Sequence, residues 1–156
     1  MAGLCLGGHN PAMSIARLRH KLRRFGELSA ADTWLLLRAV FWLAVARVWL
    51  LVTPFRHVAR RLSGDSGHNQ ADPELLQRIG NAVSTAGANV PWRSDCFPRA
   101  IAARVLLRRY GCSSTIHLGV AKGDADALAG HAWLSCGDAI VTGGEDLDRY
   151  VEVHRL

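Results

Sequence analysis

Residues 93–111 read RSDCFPRAIAARVLLRRYG, and this stretch predicts a helix whose beginning is marked by its own residues. Pro98 lacks an amide hydrogen and fits only a first helical turn, so Asp95 takes the N-cap and Cys96 the first helical position. Gly111 ends the helix. Free amides and the positive end of the helix dipole stabilise a thiolate at Cys96 and can hold an oxyanion. Cys96 is therefore a candidate nucleophile, although a small buried side chain is the commoner role of a single cysteine.

The pattern after this helix is typical of β-strands joined by short connections. STIHLGVAK (114–122) alternates like a strand, GDADALAG (123–130) resembles a loop, HAWLS (131–135) a second strand, CGD (136–138) a turn and AIVTGG (139–144) its return. The last ten residues fit an edge strand or a short helix. Helices followed by antiparallel strands predict an α+β fold.

A thiolate nucleophile needs a general base, and histidine is the usual choice at neutral pH. The stretch HAWLS predicts that His131 begins a strand at the mouth of a site, and that Trp133 shares its face and shields it. His117 lies inside the preceding strand, where it either pairs beside His131 or points outward.

The front of the chain contains an apolar run, TWLLLRAVFWLAVARVWLLV (33–52), that is long enough to span a bilayer. Ser29 and Asp32 form an S-x-x-D cap before it, and Pro54 ends it. Arg38 and Arg47 point to opposite sides of such a helix, and each costs about 2.5–3.5 kcal/mol near a bilayer centre. A buried or partner-covered helix is therefore favoured, and membrane contact stays open.

These patterns divide the chain into three parts. Residues 1–62 form a helical N-terminal segment with its apolar helix at about 30–53, residues 63–72 form a polar linker, and residues 73–156 form the core. The core begins with a helix capped by Asp72, with Pro73 at its first position. The apolar side of this helix contains Leu75, Leu76, Ile79 and Val83 and ends near Gly87.

The net charge of +6 comes from 19 basic and 13 acidic side chains, and the basic excess is concentrated in RLRHKLRR (17–24) and FRHVARR (55–61). Such blocks usually form a solvated face, while an acidic partner or a membrane surface is an alternative. Aromatic residues interleaved with basic ones on a strand are missing, so nucleic acid is not an expected partner. The four cysteines form no CxxC pair and no cleavable secretion signal precedes them, so a reducing cytoplasm is expected.

Two other classes of function fit parts of the sequence. Cys112, His117, His131 and Cys136 have the C-x4-H and H-x4-C spacing of a small zinc site. Five-residue separations put paired ligands on opposite faces of a strand, so this site needs each pair to straddle a strand end. The second alternative is a non-catalytic adaptor whose basic helices dock a partner.

Three segments together resemble a known family: VPWRSDCFPRAIAARVLLRRYG (90–111), STIHLGVAKG (114–123) and AGHAWLSCGDAIVTGG (129–144). They are similar to the stand-alone, transglutaminase-like cysteine peptidases that remove leader peptides in lasso-peptide biosynthesis. The front helix is similar to the helical lead-in of that form, and the likeness begins at Met13, so the first twelve residues are expected to be an upstream start or a disposable tail. The resemblance implies a papain-like reaction on a transglutaminase core with an N-terminal helical extension.

Carried over residue by residue, the resemblance implies that Cys96 is the nucleophile and His131 the base. The family commonly has an aspartate about twelve residues after the histidine, where this sequence has Gly143 and Gly144. Hairpin pairing around the 136–138 turn also predicts these glycines opposite His131. The orienting acid would then come from Asp146, Glu145 or the turn residue Asp138, with Asp146 slightly favoured. A Cys96–His131 dyad is the alternative.

The resemblance further implies the partners of the enzyme. These are a ribosomally made precursor peptide as substrate, a small leader-recognition protein and an ATP-dependent lasso cyclase that closes the macrolactam. Neither a cofactor nor a metal is expected. The enzyme would be cytoplasmic, with peripheral membrane contact through the apolar front helix left open.

Overall fold

Helices come first along the chain and strands follow in the computed structural model, which describes residues 29–62, 72–122 and 128–156. Within these ranges the order is α1 (Ala30–Val52), α2 (Phe55–Leu62), α3 (Pro73–Asn89), α4 (Cys96–Arg109), β1 (Thr115–Lys122), β2 (Leu128–Cys136), β3 (Ala139–Thr142), a 3-10 turn (Leu147–Arg149) and β4 (Val151–Arg155). The strands form one antiparallel sheet in the order β3-β2-β1-β4. The predicted α+β class is confirmed.

Helix α1 begins where its cap predicts. The Ser29 Oγ accepts a hydrogen bond from the Asp32 amide at 3.1 Å, and the helix ends at Val52, two residues before Pro54. One face, containing Leu35, Ala39, Leu43 and Ala46, is buried. The helix is long and apolar enough to cross a membrane, yet only 22% of its most apolar stretch of 18 residues is buried. The expectation of a buried helix therefore holds for one face alone.

Helix α3 packs closely against the edge strand β3. Asp72 caps it by accepting a hydrogen bond from the Glu74 amide at 3.1 Å, and Pro73 occupies the first turn. A Cβ placed on Gly80 would lie 2.5 Å from the Val141 carbonyl oxygen, so the absence of a side chain at Gly80 permits this approach. The helix extends to Asn89, two residues past the predicted end.

Helix α4 begins at Cys96 with Asp95 at its N-cap, as predicted. The Asp95 side chain does not itself cap the helix and lies 3.6 Å from the Arg93 Nε. Gly111, at φ 73°, follows the helix end. The capping position is therefore set by backbone geometry and Pro98, while the carboxylate faces solvent with Arg93.

Strand β2 is longer than the sequence indicates, and the prediction that it opens at His131 was wrong. It begins at Leu128, because residues 128–130 pair with Val120–Lys122 of the neighbouring strand. His131 is consequently the fourth residue of the strand, directly opposite Gly119. Residues 123–127 of the predicted loop lie outside the described residues.

The final residues form both of the structures that their sequence allowed, a short 3-10 turn and then strand β4 along the outer edge of β1. Leu156 is anchored beyond β4 by two backbone hydrogen bonds with Ile116, of 2.8 and 2.9 Å. The buried Arg104 of α4 donates from Nη1 to the Leu156 backbone oxygen at 2.7 Å. Helix α4 and the end of the chain are thereby tied together.

Residues 34–156 form one compact unit, and its hydrophobic core contains residues from every helix. Leu43 of α1 and Val58 of α2 are fully buried in the same cluster as Ile79 of α3 and Leu106 of α4. Residues 63–71 of the predicted linker, like the basic block 17–24 and the first twelve residues, lie outside the described residues. The division into a helical segment, a linker and a core stays a prediction.

Candidate active site

Cys96 stands half-buried at the first position of α4. Amides in the first turn of a helix have no partner within the helix, so those of Cys96 and Phe97 are available, whereas Pro98 has none. The Arg99 amide is already bonded to the Asp95 carbonyl at 3.4 Å. The thiol therefore lies where helix dipole and free amides favour negative charge.

His131 is held in β2 from two directions. Its Nε2 lies 2.9 Å from the carbonyl oxygen of Gly143, just past the end of β3. Its ring is stacked against Tyr150, at a centroid distance of 4.7 Å, and against Trp133, at 6.2 Å. The predicted sharing of a face by His131 and Trp133 is confirmed.

The hydrogen bond to Gly143 decides which ring nitrogen of His131 carries the proton. A carbonyl oxygen can only accept, so Nε2 must be the donor. In the neutral imidazole this leaves the lone pair on Nδ1, which is the nitrogen available as a general base. A backbone group thus does the orienting that a carboxylate does in a triad.

Cys96 and His131 line the same cavity, of about 860 Å³. One wall comes from α3, including Leu76 and Gly80, and the other from β3 and the residues that follow it, including Gly143. The N-terminus of α4 thereby contributes a thiol and free amides, and β2 contributes an imidazole, to one space. Such a set can carry out acyl transfer.

Of the three candidate acids, only Glu145 is among the residues that line this cavity. Glu145 is exposed and lines it, and Asp138 belongs to the turn between β2 and β3. Asp146 is exposed, has a left-handed backbone at φ 54°, and precedes the 3-10 turn. Among the described residues, the hydrogen bond found for His131 goes to the Gly143 backbone oxygen, at the place where the resemblance predicts an aspartate. The roles of Glu145 and Asp146 stay predictions.

His117 belongs to a separate polar group on β1. Its Nε2 lies 2.8 Å from the Ser135 Oγ, and its Nδ1 lies 3.3 Å from the Glu152 Oε2. Its ring is parallel to that of Trp133 at 5.3 Å, so the two histidines contact the same indole. The hydrogen bond from Arg155, with a smaller contribution from His117, holds the pKa of Glu152 below its usual value. His117 is therefore oriented by its own partners.

Sequence reasoning missed two contributors to the site, Tyr150 and Gly119. A Cβ on Gly119 would lie 2.7 Å from the Trp133 ring and 3.1 Å from the Tyr150 Cβ, so the missing side chain leaves room for both aromatic residues beside His131. The sequence signal for Gly119 is a glycine inside a predicted strand, two residues after His117, because such a glycine often marks a close approach of another group.

The proposed zinc ligands are not brought together. Cys112 and Cys136 are both buried. The pKa of the Cys112 thiol is raised mainly by its burial and, to a smaller extent, by the nearby Cys136. His117 is bonded elsewhere, and His131 faces the cavity with Cys96. Within the part of the chain that the structure describes, no three His, Cys, Asp or Glu side chains are grouped as metal ligands. The zinc alternative therefore has no geometric support there.

Residues 39–155 match a family model that is described as the transglutaminase-like superfamily. The match begins inside α1 and includes Cys96, His131 and Gly143. Comparisons with curated proteins and with solved structures give no match.

Proposed function

The chain belongs to the transglutaminase-like superfamily, and on that basis we propose that it is a cysteine peptidase with Cys96 as nucleophile and His131 as general base. The observation that carries this proposal is the cavity that the two residues share, together with the bond from His131 Nε2 to the Gly143 oxygen. That bond leaves Nδ1 free to take the thiol proton.

The proposed reaction proceeds in two acyl-transfer steps. The Cys96 sulfur attacks the scissile carbonyl after its proton passes to His131 Nδ1, and the oxyanion is held by free amides at the start of α4. The imidazolium then protonates the leaving amine, which becomes the N-terminus of the departing carboxyl-terminal peptide. Water, deprotonated by His131, hydrolyses the remaining thioester and restores the thiol.

The proposed substrate is the precursor of a lasso peptide, cut at the junction of leader and core before macrolactam closure. The support is the ordered resemblance of the segments around Cys96, Gly119 and His131 to the stand-alone leader peptidases. A leader-recognition protein would present the precursor, and an ATP-dependent cyclase would consume the product. The reaction chemistry calls for no cofactor, and a cytoplasmic location fits free thiols.

The test is cleavage of a leader–core precursor by the full chain together with its leader-recognition protein, followed by mass spectrometry. The Cys96→Ala variant is expected to fold and to leave the precursor uncut. His131→Ala should be nearly as inactive, because members of one catalytic unit are strongly non-additive. His117→Ala is the matched control, since it changes a histidine on the same indole, and it should retain most activity. Cleavage by Cys96→Ala at the parental rate contradicts the proposal.

The adaptor alternative makes a different prediction for the same cysteine. In a peptidase, alkylation should label half-buried Cys96 before buried Cys112 and Cys136 and should abolish cleavage. An adaptor would be labelled without loss of function. Measurements in a Cys5→Ser background remove the fourth thiol from the comparison.

A further inference from the structure

Helix α1 carries an exposed row of large apolar side chains on the side that faces away from the core. We call it the apolar stripe, and it consists of Trp34, Leu37, Phe41, Val45, Val48 and Val52, each between 37% and 72% exposed. Steps of three or four residues place them on one side of the helix, within an arc of about 80° at about 100° per residue. The stripe contains no charged side chain, and its one polar atom is the indole nitrogen of Trp34.

The opposite face of α1 determines how this helix can contact a lipid bilayer. Leu35, Leu43 and Ala46 are buried in the core that α1 shares with the other helices. A helix packed along a protein in this way cannot be surrounded by lipid, so it does not cross a bilayer as a free span. It can lie in the plane of an interface, with the apolar stripe inserted and the domain behind it in water.

Positive charge surrounds the apolar stripe. Arg38 and Arg47 project from opposite sides of it, and Arg38 also lies over the Trp34 ring at 5.5 Å. Between residues 34 and 62 there are five arginines and no Asp or Glu. Residues 34–62 therefore favour an anionic surface beside the stripe, and Asp32 is the one carboxylate of α1.

A second cavity, of about 530 Å³, lies at the end of α1. It is lined by Trp49, Thr53, His57, Arg60 and Arg61. Two guanidinium groups, a hydroxyl and an indole provide hydrogen-bond donors at its surface, and among the described residues no carboxylate lines it. Phosphate oxygens are acceptors that suit such a lining.

We propose that the apolar stripe and this basic cavity dock the protein on an anionic phospholipid surface, with the stripe at the boundary of head groups and acyl chains. A second copy of this chain is disfavoured, because it would bring arginines against arginines. A protein partner normally requires polar groups among the apolar contacts, at about one hydrogen bond per 100–200 Å² of interface, and the side chains of the stripe offer only the indole N–H of Trp34. The proposal does not depend on the peptidase activity.

The test is co-sedimentation of the full chain with phosphatidylglycerol–phosphatidylcholine vesicles and with vesicles of phosphatidylcholine alone, at physiological ionic strength. We expect binding to the anionic vesicles to be at least about tenfold stronger. Phe41→Glu should weaken it by a further factor of about ten or more, since a charge would enter the acyl boundary. Arg60→Gln with Arg61→Gln should remove most of the preference for anionic lipid.

Leu128→Glu is the matched control, because it charges an exposed leucine of β2 outside the stripe. It should bind vesicles like the parent, and circular dichroism should show that all variants keep the parental fold. No binding to anionic vesicles, or binding that Phe41→Glu leaves unchanged, would overturn the proposal. So would a dimer in solution that Phe41→Glu dissociates while vesicles bind neither form, since the stripe would then serve a second copy.

Discussion

At the scale of single residues, Gly143 combines two properties that together serve His131. Its backbone has a φ of +73°, which L-residues rarely adopt, and its carbonyl oxygen accepts the bond from His131 Nε2. A Cβ at this position would lie 2.6 Å from the Ala132 carbonyl oxygen. The aspartate that the resemblance to the leader peptidases predicts at this place therefore does not fit in this backbone conformation, and the acceptor found for His131 Nε2 is the Gly143 carbonyl oxygen.

Gly143→Ala is expected to lower the free energy of unfolding by about 1–3 kcal/mol, through the strained backbone and the contact with Ala132. It should also reduce cleavage at least about tenfold, because the displaced carbonyl no longer fixes the tautomer of His131. Gly144→Ala is the control: its Cβ would meet only the Ile140 side chain, at 3.2 Å, and its φ is not positive. Denaturant unfolding and cleavage rates measure both effects. Equal behaviour of the two variants would remove the special role of Gly143.

Glu145 and Asp146 can be separated in the same assay. If one of these carboxylates replaces the Gly143 oxygen as the acceptor of His131 Nε2 when substrate binds, alanine at that acid should lower the cleavage rate by about ten- to a thousandfold without changing precursor binding. Because Glu145 lines the cavity with Cys96 and Asp146 is not among the lining residues, the larger effect is expected at Glu145. Asp138→Ala, in the hairpin turn, is the control. If all three variants cut at the parental rate, the carboxylates of this hairpin take no part and the dyad with its backbone acceptor is the whole machinery.

At the scale of elements, the position of Gly143 depends on the contact between α3 and β3. Strand β3 has only four residues and pairs with β2 on one side alone, and α3 approaches it through Gly80. The short strand is thus held between a neighbouring strand and a helix. A shift of β3 would move the acceptor of His131 as well.

Gly80→Ala tests this contact from a distance, since its Cβ would lie 2.5 Å from the Val141 carbonyl oxygen. Forcing the helix and strand apart is expected to cost about 1–3 kcal/mol of stability, despite the higher helix propensity of alanine. The cleavage rate should fall as well. Thr85→Ala, on the exposed part of the same helix, should leave both unchanged. A Gly80→Ala variant as stable as the parent would show that α3 can retreat freely.

At the scale of the whole molecule, the two front helices contribute to the core that supports the site. These two helices contribute four large buried side chains to the core, those of Leu35, Leu43, Val58 and Leu62. Burying each such side chain contributes about 1.5–3 kcal/mol. Together they approach the whole stability of a typical domain, which is about 5–15 kcal/mol.

A fragment of residues 63–156, cut at the predicted linker, is therefore expected to lack a cooperative unfolding transition. The measurement is thermal unfolding by circular dichroism, with the full chain as reference. Adding the 29–62 peptide in trans is the control, since it should restore at least part of the transition if packing alone is missing. A fragment that unfolds cooperatively by itself, at a temperature close to that of the full chain, would instead establish residues 73–156 as an independent core.

The sequence by itself determined the features whose causes are local. The beginnings of α1, α3 and α4 follow from Ser29, Asp72 and Pro98, because a cap or a missing amide acts within one helical turn. The turn predicted at 136–138 likewise brings the residues after β3 back toward His131, although a register shift between Leu134 and Ser135 changes the pairing that the turn alone would give.

Only the tertiary structure decided the features that depend on residues distant in the chain. The start of β2 at Leu128 depends on pairing with β1, and the orientation of His117 depends on Glu152 of β4. The exposed apolar stripe required knowing which face of α1 the core covers, which a helix apolar on most sides does not reveal. The bond between His131 and the Gly143 carbonyl is of the same kind, because backbone oxygens are present at every residue and only the folded sheet selects one of them as the acceptor.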